Sequence, residues 1–218
     1  MSKQWVRQQV RHDELHVVID KAILWAAANR QKTVTAVGIV VAMVLVASLA
    51  AYHARSTRAD AWERLGLAQN LAYGGRADAA AEQRKKLEAE HPATDAAGFG
   101  AVFAGDLHYQ KGQYKEASEK YATVLEQGLP KTLQPVALSA LALSQEAAGQ
   151  YQTAVQTAQR LLEGYPEHFL APQTHACLAR SLQASGHADQ AKAAYQKIAL
   201  QYPDTAWAAW AQSRLKSS

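Results

Sequence analysis

The longest apolar run in the chain is TVTAVGIVVAMVLVASLAAYHA, residues 33–54, which holds no Asp, Glu, Lys or Arg over 22 positions. At about 1.5 Å rise per residue, roughly 20 helical residues cross a hydrocarbon layer about 30 Å thick. The run is rich in Val and Ile but far too long for a strand, and in lipid a helix satisfies its own backbone groups. Tyr52 stands at its outer end, where an aromatic ring with a polar tip suits the interface, and Trp25 is placed to do the same ahead of it. The pattern predicts a transmembrane helix over 33–54. The alternatives are a buried core helix and a cleaved signal peptide, since Ser48, Leu49 and Ala50 precede Ala51 as a signal peptidase would want. Against cleavage, 32 residues come first and the run exceeds the ~7–15 apolar positions of a signal sequence.

Ahead of the run, Leu15, Val18, Ile19, Ala22, Ile23 and Ala26 recur at spacings of three and four. That period predicts an amphipathic helix lying on a membrane surface or a partner; a plain extension of the membrane helix fits it equally. Residues 1–11 are polar and are expected to be disordered.

After residue 59 no β-like alternation of any length occurs. Instead Gly75, Gly112, Gly149 and Gly186 recur every 37 residues, each followed five positions later by an alanine: Ala80, Ala117, Ala154 and Ala191. A fixed period of this length marks stacked supersecondary units. Each unit reads as a helical hairpin. In the third, Leu138, Leu141 and Ala142 lie on a first helix, Gly149 makes the turn, Ala154, Ala158 and Leu161 face inward from a second, and Pro166 ends it. The predicted helices are 58–73, 77–90, 95–111, 114–127, 134–148, 151–164, 170–185 and 188–201. A ninth at 205–215, with Trp207, Trp210 and Leu215, caps the stack, since a terminal repeat lacks a neighbour on one face.

These units resemble the tetratricopeptide repeat family. The second matches its pattern at Ala104-Gly105, Gly112, Ala117 and Tyr121, with Pro130 one residue late; the third at Leu141-Ala142, Gly149, Ala154, Ala158 and Pro166; the fourth at Leu178-Ala179, Gly186, Ala191, Tyr195 and Pro203. In the first, Leu67-Ala68, Gly75, Ala80 and Pro92 fit, but Arg84 stands where an aromatic is expected. The period is three residues longer than the family's usual repeat, implying longer connections at Pro130 to Pro135 and His168 to Pro172. The resemblance implies an all-α solenoid of about four hairpins, near 61–94, 98–131, 135–168 and 172–205, followed by the cap.

The family's groove-facing positions, carried onto this chain, give Trp62 and Tyr73 in the first unit, and Phe99, Asp106 and Tyr109 in the second. The third gives Glu146, and the fourth Arg180 and Gln183. A clamp for chaperone carboxyl termini would need several Lys, Arg or Asn residues there, and only Arg180 remains. An apolar-aromatic groove that grips a partner segment or an unfolded chain fits this lining, and packing of Tyr109 or Phe99 against the neighbouring repeat fits it equally.

Charge refines the layout. Lys and Arg total 23 against 19 Asp and Glu, and residues 1–32 carry six cations against three acids. The solenoid is nearly neutral, which argues against nucleic acid. Lys21, Arg30 and Lys32 precede the apolar run and Arg55, Arg58 and Arg64 follow it, so the close flanks are balanced; the whole cationic tail favours a cytoplasmic N-terminus and, in a bacterium, a periplasmic solenoid. The sequence thus divides into a cytoplasmic tail (1–32), a membrane helix (33–54) and a solenoid (55–218).

Catalytic signatures are missing: no HExxH, GxSxG, P-loop or GxGxxG occurs. Cys177 reads as a small buried hydrophobe. His91, His108, His168, His175 and His187 are scattered rather than set at ligand spacing. The expectation is no enzyme, no metal and no cofactor. The 46 alanines of the 218 residues instead suit close helix packing.

The whole layout resembles a narrower family, the YfgM-like ancillary subunits of the SecYEG translocon. Asp13-Glu14-Leu15 through Leu24-Trp25, then Asn29-Arg30, look like the entry segment of those proteins. That resemblance implies an inner-membrane scaffold or chaperone adaptor for exported proteins, partnered by the translocon and a membrane-anchored periplasmic chaperone. The alternative is a bridging subunit of a cell-envelope, secretion, division or pilus assembly, or a self-associating scaffold.

Overall fold

The computed structural model describes residues 18–128 and 130–217; the tail positions ahead of 18, Leu15 among them, lie outside the described residues. The chain divides into two units at residue 56. Among the described residues every regular element is helical.

In the first unit, 18–28 form α1, and α2 runs from Arg30 to Tyr73. Asn29 interrupts them only nominally. Its backbone N–H donates to Trp25 O at 2.9 Å, and the Thr33 hydroxyl donates toward Asn29 O at 3.1 Å and Ala26 O at 3.3 Å. Within α1, Val18, Ile19, Ile23, Leu24 and Trp25 are all exposed, so no described residue covers its apolar positions. The apolar stretch of α2 is likewise bare: the 18-residue window that is long and apolar enough to cross a membrane has none of its residues buried. The helix of a core would be mostly buried, and none of this window is buried by the described residues.

The second unit begins within α2. The sequence places the start of the first repeat helix at 58, yet α2 passes through unbroken, because Ala54-Arg55-Ser56-Thr57-Arg58 contains neither Gly nor Pro to stop it. There follow α3 (Ala77–Glu90), α4 (Asp95–Gln110), α5 (Tyr114–Gln127), α6 (Gln134–Ala147), α7 (Tyr151–Gly164), α8 (Ala171–Ala184), α9 (Ala188–Gln201) and α10 (Ala206–Ser217). Consecutive helices from α3 onward pack against one another, and α8 also touches α6 and α10, the first helices on either side of it. The first helices α6, α8 and α10 therefore stack in one layer.

One turn is used four times. Gly75, Gly112, Gly149 and Gly186 have φ of 75°, 73°, 75° and 83°, the left-handed region that a side chain disfavours. In each case the next residue reaches back five positions: Arg76 N to Leu71 O, Gln113 N to His108 O, Gln150 N to Gln145 O and His187 N to Leu182 O, at 2.8–2.9 Å. The glycine itself donates three positions back. This is a Schellman closure, which satisfies carbonyls that the ending helix would orphan. The residue after each glycine then accepts the first bond of the next helix from the repeated alanine, as Gln113 O does from Ala117 N at 3.0 Å. Those alanines, Ala80, Ala117, Ala154 and Ala191, are buried. The period of 37 is thus the repeat of a complete turn-plus-contact device.

The longer connections fall where the prolines placed them. A short 3₁₀ turn, Lys131–Leu133, leads into α6, and Pro135 and Pro172 sit in the first turns of α6 and α8, where a missing N–H costs nothing. Tyr165, between α7 and α8, donates its hydroxyl to Gln134 Oε1 at 2.9 Å and ties that connection back to the preceding one.

Candidate protein-binding surface

All eight groove candidates lie on first helices, and they separate into an aromatic group and a polar group. The aromatic group spans α2 and α4. Trp62 and Phe99 have ring centroids 5.3 Å apart at a tilt of 52°, and Tyr73 meets Phe103 at 5.9 Å. Trp62 is 46% exposed, Phe99 38% and Tyr73 81%. Paired rings are held in place by each other while keeping a face in water, so they offer a partner a large contact at a small entropy cost.

The polar group is mostly committed within the molecule. Tyr121 of α5 donates its hydroxyl to Asp106 Oδ1 at 2.6 Å. Burial and then this carboxylate push the Tyr121 phenol far up, so it stays a donor. Glu146 of α6 takes a bidentate pair from Arg180 of α8, Nε to Oε1 at 2.6 Å and Nη2 to Oε2 at 2.7 Å. That hydrogen bonding raises the Arg180 guanidinium against the opposing effect of burial. Gln183 accepts the Tyr195 hydroxyl at 2.8 Å. The sequence put Asp106, Glu146 and Arg180 forward as the groove's charges. The structure places each of them against a partner from its own chain: Glu146 and Arg180 neutralise each other, whereas Asp106 meets only a neutral hydroxyl.

Tyr109 joins the two groups. Its ring lies 5.1 Å from Tyr114, it is 37% exposed, and burial followed by Tyr114 raises its phenol, with Glu146 and Arg180 also acting on it. Two residues were absent from the sequence-derived groove. Phe103 lies one turn from Phe99, so helical spacing alone pointed to it. Trp210, expected only as part of the cap, is flanked by Arg180 and Arg214 with guanidinium carbons 5.8 and 6.0 Å from its ring centre. Cys177 is fully buried, and burial, then Glu146, pushes its thiol up, so it acts as an apolar filler rather than a nucleophile. Among the described residues no three His, Cys, Asp or Glu side chains gather as a metal site would require.

Beneath this surface His175 of α8 is only 5% exposed, faces the Tyr202 ring at 5.9 Å and has no partner for Nδ1. Burial, with Lys197 in support, pushes its pKa down to about 4. The unfolded chain binds this proton near pH 6.5 and the folded chain only near 4, so the stability held above about pH 6.5 is lost as pH falls through that window. The effect is on the order of 2–3 kcal/mol. Denaturant melts of the full chain at pH 7 and pH 4, with and without His175→Leu, test this; parallel pH slopes for the two proteins would rule it out.

The tetratricopeptide repeat-like domain family matches residues 25–197. No curated protein matches the chain. Among solved structures, YrrB, described as a TPR protein with an unusual peptide-binding site, superposes with a TM-score of 0.53 at 18% identity, over 70% of this chain and 76% of that one. A putative kinesin light chain from Podosopora anserina, with nearly identical TPR-like repeats, gives 0.54 at 20% identity over 70% of this chain and 82% of its own. A variant of that protein gives 0.56 at 17% identity with the same coverage. At these identities the likeness establishes the fold.

Proposed function

Because the chain belongs to the tetratricopeptide repeat-like domain family, a fold of protein-interaction modules, we propose that it is a membrane-anchored module that grips polypeptide segments of exported or envelope proteins. The observation that carries the binding role is the exposed aromatic set Trp62, Phe99 and Tyr73 on α2 and α4, backed by the half-buried Phe103, in a lining where Glu146 and Arg180 pair with each other. Such a surface favours apolar and aromatic segments of varied sequence over a single charged terminus. The anchor is residues 33–54, whose apolar 18-residue window no described residue buries and which hydrocarbon would cover. The cationic tail ahead of it supports a cytoplasmic N-terminus and a periplasmic solenoid. Work beside the SecYEG translocon, as a scaffold or chaperone adaptor, is the assignment favoured by the resemblance of the tail and layout. A bridging subunit of another envelope assembly is the competing one.

Photocrosslinking residues installed at Trp62, Tyr73 and Phe99 in cells separate these readings. Capture of translocon subunits, a periplasmic chaperone or many nascent chains is the expected result. One stoichiometric envelope component, with no translocon or nascent material, would transfer the protein to the bridging class. Arg180 is a poor crosslinking position, because replacing it breaks its pair with Glu146.

A further inference from the structure

A second recessed site lies between α3 and α4, bordered by Ala72 of α2, and shares Phe103 with the aromatic set. It is a cavity of about 290 Å³ walled by Ala77, Ala81, Phe103 and Leu107, with Arg84, His108 and Lys111 also lining it. The 37-residue register explains why it is open. One repeat later, the positions of Ala77 and Arg84 are held by Tyr114 and Tyr121. There, Tyr121 joins Leu141 and Ala140 in one apolar cluster, and these two are the register equivalents of Ala104 and Phe103 on the cavity wall. The second hairpin therefore fills with its own tyrosine the space that the first leaves empty. A cavity of this size, at the lower end of the ~300–1,000 Å³ typical of ligand sites, suits one side chain rather than a long acyl chain.

The charges around it share one sign. Arg84 is mostly buried and gives Nη1 to Glu88, and Lys120 also approaches Glu88 at 3.8 Å, so this carboxylate is already shared between two cations. Lys111 and His108 add to the lining, and no acid lines the cavity. An arginine where a ring belongs at once empties the space and supplies a cation to whatever enters, through a guanidinium with five N–H donors.

We propose that this cavity takes an aromatic side chain of a partner polypeptide that carries an acidic residue beside it, the ring occupying the place Tyr121 fills in the next hairpin and the acid facing Arg84 and Lys111. The cavity shares Phe103 with the aromatic set but neither Trp62 nor Phe99 lines it, so substitutions at those two rings probe the groove separately from the cavity.

The test uses the full chain in lipid nanodiscs and three fluorescein-labelled peptides, Glu-Tyr-Glu, Glu-Ala-Glu and Lys-Tyr-Lys, read by polarisation. Glu-Tyr-Glu should bind about tenfold tighter than the other two. Ala77→Tyr, which installs the residue that Tyr114 and Tyr151 already provide at that register, should abolish the preference with an unchanged melting temperature. Arg84→Gln should weaken Glu-Tyr-Glu while sparing Lys-Tyr-Lys, and decides the matter if Ala77→Tyr folds poorly. Trp62→Ala with Phe99→Ala should leave all three affinities in place. Equal binding of Glu-Ala-Glu, indifference to Arg84→Gln, or loss on the Trp62 and Phe99 substitutions would overturn the proposal. So would self-association of the chain that Ala77→Tyr removes, which would give the cavity to a second copy.

Discussion

Replacing Gly105 by alanine is expected to cost about 3 kcal/mol of stability, far more than one methyl group on a helix should. A Cβ built at Gly105 falls 2.5 Å from Tyr121 Cε1 and 2.7 Å from Cζ, and a ring cannot yield locally as the end of a flexible chain does. Tyr121 is 2% exposed and its hydroxyl is tied to Asp106 at 2.6 Å, so moving the ring also breaks a hydrogen bond to a carboxylate. The molecule shows the alternative elsewhere. In the fourth hairpin Ala179 takes the register position of Gly105, and Tyr195 turns its hydroxyl to Gln183 instead of Arg180, the equivalent of Asp106. That escape is closed in the second hairpin, because the position equivalent to Gln183 is Tyr109, which offers no amide oxygen. In the third hairpin Ala142 and Ala158 share one buried cluster, and alanine stands where Tyr121 and Tyr195 carry a ring. Urea denaturation of the full chain should show the loss for Gly105→Ala, and Tyr121→Ala added to it should restore part, since that recreates the alanine pair of the third hairpin. A loss below about 1 kcal/mol, or a double variant with simply additive losses, would contradict the steric account.

Much of the architecture was legible because a repeat leaves the same physical demand at the same spacing. Gly75, Gly112, Gly149 and Gly186 had to take a left-handed turn, and only glycine does so freely. The expected helix bounds then fall within a residue of those observed from α3 to α9, because turn glycines and prolines set them. Where no breaker existed the expectation failed, as with the separate first repeat helix at 58.

The candidate surface was harder to read. Helical spacing puts residues on a face but does not show which of them are already occupied. Asp106, Glu146, Arg180 and Gln183 were placed on the right helices, yet their partners come from other helices 12 to 34 residues away. The repeat itself held a clue. Trp62 and Phe99, paired by their rings, are separated by one period of 37, and Glu146 and Arg180 by that period less one helical turn. Neighbours across hairpins therefore recur near the period, and an acid and a base at that offset should first be read as a pair. The cavity beside Arg84 was also written there, as the one unit with a cation at the position where the family pattern expects an aromatic.

Arg180→Ala is expected to be as damaging as the glycine change, at about 3 kcal/mol, and worse than Glu146→Ala. The reason is the unequal exposure of the two side chains, 35% for Arg180 and 16% for Glu146. Removing Arg180 strands a carboxylate that water reaches poorly. Removing Glu146 leaves a guanidinium that still has solvent and the face of Trp210, 5.8 Å away, so about 1–2 kcal/mol is expected there. The double replacement removes both charges together and should cost less than the sum of the singles, because much of each loss is the partner left behind. A double-mutant cycle by urea denaturation measures this, with Arg180→Lys as a control that keeps the charge but not the bidentate fork. The pair joins α6 to α8 from adjacent hairpins, so it also sets how the third and fourth first helices are spaced beneath the binding surface. If the bridge were an ordinary solvated ion pair, all three variants would lie within about 1 kcal/mol of the parent and the coupling would fade with salt. A large, asymmetric and salt-resistant coupling instead identifies Glu146 and Arg180 as a structural clasp, leaving the aromatic rings to meet the partner.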